Sequence, residues 1–69
     1  MKRGDIISRM GEEFRVLSSF VLTGKVMPHL NGVEMVRVRQ HGKVVVFMSE
    51  TCKLVRTAEQ VVAERLMDS

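Results

Sequence analysis

The chain has 69 residues, eleven Lys and Arg against eight Asp and Glu for a formal net charge of +3, and 45% hydrophobic positions. That length leaves room for one domain, residues 1–69, which buries only about 60% of the surface its unfolded form exposes. The apolar share is too high for a disordered tail, and nothing approaches about 18 continuous apolar residues, so no membrane-spanning helix is expected.

Cys52 is the only cysteine, which excludes an internal disulfide framework and suits a reducing compartment. Met1-Lys2-Arg3-Gly4-Asp5 is followed by no long apolar run, so no signal peptide is expected and the cytoplasm is the expected location. The mildly basic balance permits a nucleic-acid partner without demanding one. Tryptophan and tyrosine are absent, which counts against stacking of bases on ring platforms.

In chain order, the apolar pattern has period two through most of the sequence. A first strand reads from Asp5 to Met10, closed by Gly11-Glu12, and a second from Glu13 to about Leu22. Thr23 to Gly32 reads as a connection, containing Pro28 and the tight-turn dipeptide Asn31-Gly32. Val33 to Gln40 and Lys43 to Glu50 are β-rich runs separated by His41-Gly42. A two-residue loop needs positive φ, which Gly adopts freely and His tolerates better than most, so this is a hairpin. Ser49 to Lys53 breaks the pattern, and Leu54-Val55 forms a short last strand. Thr57 with Gln60 makes a capping box opening a helix over 57–67. Ala58, Val61, Val62 and Leu66 fall on one stripe, predicting docking through Val62 and Leu66.

The hairpin loop sets a register in which Gln40 meets Lys43, Val38 meets Val45 and Val36 meets Phe47. One face then carries Val36, Val38, Val45 and Phe47, the expected core. The other carries Met35, Arg37, Arg39, Val44, Val46 and Met48, with Glu50 at its end. Arginine stems lying over valines on a bent strand account for such a face structurally. Functionally, Met and Arg are both enriched at interfaces, and an apolar patch rimmed by charge marks a contact surface. Arg9, if grouped with Arg37 and Arg39, would complete a stripe able to track phosphates.

Lys2-Arg3-Gly4-Asp5-Ile6-Ile7 resembles the K-x-G-D-x-V opening of many SH3-like small barrels. The order that follows is also similar to theirs: bent second strand, long connection, tight hairpin, a turn at Ser49-Glu50-Thr51-Cys52, short strand. The resemblance covers about residues 2 to 55 and is one of fold. It implies a mainly β fold: a small barrel of about five antiparallel strands over 4–55 with a short C-terminal helix. Within that fold the V-Q-I-Y strand of plasmid-borne type II dihydrofolate reductases has no counterpart in Val45-Val46-Phe47-Met48. The glycine-centred loop of KOW modules and the arginine-rich first strand of the carbon storage regulators are also missing. Dimerisation barrels of some plasmid partition repressors are similar in size and layout. No functional residue carries over from any of them.

Catalytic chemistry finds little footing. Cys52, His29 and His41 match no zinc spacing, so no metal is expected. Cys52 has no base or orienting group in a recognisable pattern. Glycines are spread one per turn rather than gathered into a phosphate loop. The sequence therefore predicts a non-enzyme with no cofactor, no small-molecule substrate and no membrane partner. It reads as a small regulatory or adaptor module that binds a macromolecule, nucleic acid ahead of a larger protein complex, with homo-oligomerisation as a further possibility. The expected binding surface is Arg37, Arg39, Met35, Val44, Val46, Met48 and Arg9.

Overall fold

A computed structural model describes residues 1–25 and 28–67. Five antiparallel strands, β1 (Ile6–Arg9), β2 (Glu12–Val21), β3 (Glu34–Gln40), β4 (Lys43–Met48) and β5 (Lys53–Arg56), precede one helix, α1 (Ala58–Met67). The strand order is β4-β3-β2-β1-β5, so the sheet is open and β4 and β5 are its two edges. Short 3₁₀ turns, Pro28–Leu30 and Ser49–Thr51, lie in the β2–β3 connection and between β4 and β5. Residues 26 and 27, in the middle of the long connection, lie outside the described residues.

Two tight hairpins set most of the register. Arg9 meets Glu12 across Met10-Gly11, and Gln40 meets Lys43 across His41-Gly42. Both turns have positive φ at both central residues, 53° and 80° in the first, 52° and 78° in the second. This is the type I′ geometry whose twist matches that of the flanking strands. The first turn therefore falls one residue earlier than Gly11-Glu12, and it places a methionine in the left-handed region. The second is the turn expected, and all six β3–β4 pairs follow from it. The strand limits shift by one or two residues: Val33 precedes β3, and Ser49 and Glu50 leave β4 for the 3₁₀ turn.

β2 is the longest strand and serves both halves of the sheet, pairing with β1 at its start and β3 at its end. Between Val16, opposite Val38, and Ser18, opposite Arg37, β2 advances two residues while β3 advances one. Leu17 is the extra residue of a β-bulge, which bends the strand and increases its twist. The bend folds the two halves over one small core of Ile7, Phe14, Val16, Val36 and Val38. Met1, Val45, Phe47 and Cys52 pack against its rim. The Phe14 and Phe47 rings meet edge to face, with centroids 5.3 Å apart, so β4 curls over β2. Val36 and Val38 are fully buried as expected, while Val45 and Phe47 are half-buried.

Asp5 is the one buried charged residue among the described residues and joins the sheet to the helix. Its Oδ2 accepts from the Lys2 backbone N–H at 2.8 Å and its Oδ1 from the Ala58 N–H at 2.7 Å. Burial pushes the carboxyl up, but those two N–H groups and the neighbouring positive charges outweigh it and hold it below its ordinary value. Its backbone carbonyl also accepts from Val16 at 2.8 Å. Gly4 takes a positive φ of 94°, and a Cβ there would come within 3.1 Å of Ala58 Cβ, so the helix start sits directly on this turn. The capping box forms as read: Gln60 N–H donates to Thr57 Oγ1 at 3.1 Å and Thr57 N–H to Gln60 Oε1 at 2.8 Å.

The expected docking of α1 through Val62 and Leu66 is not found: they are 57% and 72% exposed, and no residue of α1 is buried. The helix is held at its first turns instead, by the Asp5 bond, by Lys2 with Glu59 and by Arg56 with Glu64 at 3.0 Å. It stands off the sheet, which explains dimensions of 47 × 23 × 18 Å and a radius of gyration of 13.5 Å. A compact domain of this length would have a radius of about 11 Å. No helix among the described residues is long and apolar enough to cross a membrane.

Candidate functional site

The hairpin register puts Met35, Arg37 and Arg39 of β3 beside Met48, Val46 and Val44 of β4, pair by pair, on the outward face. Six of the seven expected surface residues are therefore brought together. Val44 and Val46 are 54% and 45% exposed, Arg39 is exposed, and Met35, Arg37 and Met48 are half-buried.

Arg9 is separated from them. Its guanidinium lies over the Phe47 ring, 4.4 Å from the centroid, and its Nε donates to Thr51 Oγ1 at 3.4 Å. Phe47 belongs to the core side of the hairpin, opposite to the side of Arg37 and Arg39. Arg9 thus closes the rim of the core, and the stripe of Arg9, Arg37 and Arg39 does not form.

Two residues not expected there complete the outward face. The bulge at Leu17 reverses the side of everything after it on β2, so Ser18 and Phe20 come out opposite Arg37 and Met35. With uninterrupted alternation Phe20 would share the inward side of Phe14 and Val16. Arg37 lies over the Phe20 ring, 4.1 Å from the centroid, and its Nη1 donates to Ser18 Oγ at 3.0 Å. The guanidinium is thereby fixed in plane, with its other N–H groups directed away from these contacts.

Arg15 is the second addition. Before the bulge Val16 faces inward opposite Val38, so by alternation Arg15, the residue before Val16 on β2, and Arg39, the residue after Val38 on β3, both face outward. A bond from Gln40 Nε2 to Glu12 Oε2 at 3.3 Å keeps the strands together beyond that point. The next outward position on β2, Glu13, is turned to Arg56 at 3.9 Å. Among the described residues Arg15, Arg37 and Arg39 enter no ion pair, whereas Lys2 and Arg56 do. The signal in sequence was parity across Val16 and Val38, which could not be used without the β2–β3 register.

Among the described residues no group of His, Cys, Asp and Glu could hold a metal ion, and no pocket is formed. Cys52 is half-buried at the core rim, and its Sγ donates to the Met48 carbonyl at 3.6 Å. His29 and His41 are exposed in turns. No protein-family model matches the chain, and neither a curated protein nor a solved structure matches it.

Proposed function

We propose that the chain is a small regulatory or adaptor module that works in the cytoplasm by binding the backbone of a nucleic acid on the outward face of β2 and β3. The observation that carries this reading is Arg37 and Arg39 side by side on the outward face of β3, with Arg15 outward on the neighbouring β2, Arg37 oriented by Phe20 and Ser18, and no carboxylate among the described residues paired to any of the three. Arginine presents a planar fork of donors suited to phosphate, and its charge is retained at every physiological pH. A face with no cleft fits a polymer whose phosphates repeat along a line better than a small molecule. As a fold the chain is read as an SH3-like small barrel left open between its edge strands. That reading is supported by the strand order, the bent strand β2 shared by both halves and the 3₁₀ turn before β5.

The test is a titration of labelled single- and double-stranded oligonucleotides at two salt concentrations, with wild type and an Arg37→Ala/Arg39→Ala variant. Wild type binds with a steep salt dependence, and the variant binds more weakly with a slope shallower by about one per lost phosphate contact. Equal binding by both proteins removes the face from consideration. Absence of wild-type binding at low salt excludes nucleic acid and leaves an acidic protein surface as the partner.

A further inference from the structure

The two edges of the open sheet differ in kind. β5 carries Lys53 and Arg56 at its ends, and pairing it with itself about its centre would set Lys53 opposite a second Arg56. Like charges directly opposite destabilise a strand pair, so this edge resists its own copy. β4 reads Lys-Val-Val-Val-Phe-Met, with no charge after Lys43, no proline and no bulge. Proteins ordinarily blunt such an edge, because a flat apolar strand with free backbone groups recruits another.

We infer that β4 is a self-association edge, pairing antiparallel with β4 of a second copy of this chain about a two-fold axis at Val46. The backbone geometry selects this register. The two-residue turn makes Gln40 with Lys43 the closing hydrogen-bonded pair, so Lys43, Val45 and Phe47 turn their backbone groups toward β3. Val44, Val46 and Met48 turn theirs to the open edge. Centring on Val46 sets Val46 against the partner's Val46 and Val44 against the partner's Met48, each as a hydrogen-bonded pair. The Met48 carbonyl already accepts from Thr51 Oγ1 at 2.7 Å and from the Cys52 thiol at 3.6 Å, so the strand bond at this position takes the place of the long, weak thiol contact.

Side chains agree with the backbone. On the outward side Val44, Val46 and Met48 meet only their counterparts, and on the inward side Val45 meets the partner's Phe47. Lys43 falls opposite the partner's Ser49, so no like charges face each other. Shifting the axis to Val45 would instead put Phe47 opposite the partner's Lys43. A sheet continued in this way covers the exposed halves of Val44 and Val46, which the fold of one copy leaves in water. It also shields one side of a core that holds five buried side chains among the described residues, in a chain too short to bury much alone.

The test is sedimentation equilibrium of the wild type over a dilution series, with Val46→Lys as the edge variant and Val62→Lys as a control on the unburied helix stripe. The wild type passes from monomer to dimer with concentration. Val46→Lys, which sets two ammonium groups on the axis, weakens the dimer by roughly a hundredfold. Val62→Lys leaves it unchanged. Amide exchange of the wild type gives a second reading that needs no variant to fold: Val44 and Val46 are protected at high concentration and exposed on dilution. A monomer up to about 1 mM, a dimer unaffected by Val46→Lys but lost with Val62→Lys, or fast exchange at Val44 and Val46 at every concentration each overturns the proposal. None of these readings depends on nucleic acid.

Discussion

Replacing Asp5 by Asn tests the junction between sheet and helix most directly. The carboxylate is 4% exposed and accepts two short backbone bonds, from Lys2 at one end of the turn and from Ala58 in the first turn of α1. Asparagine keeps the shape but offers one carbonyl oxygen and one NH₂, so one of the two backbone donors loses its acceptor and faces another donor. A hydrogen bond to a charged group contributes about 1.5–3 kcal/mol, and a negative charge at a helix N-terminus about 0.3–1 kcal/mol more. The substitution therefore costs roughly 3 kcal/mol. A chain of this length is stabilised by only about 3.5–10 kcal/mol in total, and about 4–8 °C of melting temperature goes with each kcal/mol. A fall in Tm of about 12–24 °C at pH 7 follows. The pH dependence has a definite sign. The carboxyl is held below its ordinary value in the folded chain, so its contribution is complete above about pH 4 and is lost as pH falls through the lower, folded value. The wild type loses stability over that acid range and Asp5→Asn loses less, so their melting temperatures converge. Circular dichroism melts from pH 7 down to pH 2 measure both effects. A loss under about 3 °C at pH 7, or an acid limb of the same steepness in both proteins, refutes the assignment of Asp5 as the link.

Met10 sits at φ 53° with its side chain 91% exposed, so Met10→Gly relieves backbone strain while removing little packing. It raises stability by about 1 kcal/mol, read as a higher Tm. Phe47→Ala removes the edge-to-face contact with Phe14 and the platform under Arg9, at a cost of about 3 kcal/mol, and a denaturant titration will show a correspondingly lower midpoint. The arginine pair and the β4 edge supply the remaining tests, nucleic-acid titration against salt and sedimentation of Val46→Lys.

The parts of this fold that are legible in sequence are those fixed by local chemistry. His41-Gly42 requires one turn type, that turn sets one register, and the register sorts Met35 to Met48 into two faces without knowledge of anything else. The capping box of Thr57 and Gln60 is equally local. What escaped depended on contacts between distant segments. The bulge at Leu17 has no glycine or proline to announce it, yet it moves Phe20 from the inward side to a place under Arg37. The position of Arg9 depends on how far β4 curls toward β1, which one strand pair does not determine. The apolar spacing of Val62 and Leu66 predicts docking, yet both remain exposed. Nothing in Val62 or Leu66 says that the helix would be anchored through Asp5, Lys2 and Arg56 at its beginning instead.

Division of labour within the β3–β4 hairpin gives the strongest reason to treat its outward face as a working surface. Its inward positions already supply two of the five buried core residues and the Phe47 contact with Phe14. Stability therefore makes no demand for arginine on the opposite side. Threonine or valine would suit exposed strand positions at least as well by β propensity. Yet Arg37 is held by a ring and a hydroxyl that reach it only because β2 carries a bulge, and bulges disrupt the ladder they interrupt. An exposed cation needs no such support to keep a protein soluble, whereas a guanidinium that must meet a phosphate gains from being held in place beforehand. Phe20→Leu separates the two explanations, since leucine keeps apolar cover for the stem but removes the ring face. Unchanged oligonucleotide affinity in Phe20→Leu would make the ring mere packing. A drop of about fivefold at unchanged Tm, corresponding to about 1 kcal/mol for an exposed cation–π contact, would show that orienting Arg37 is its purpose.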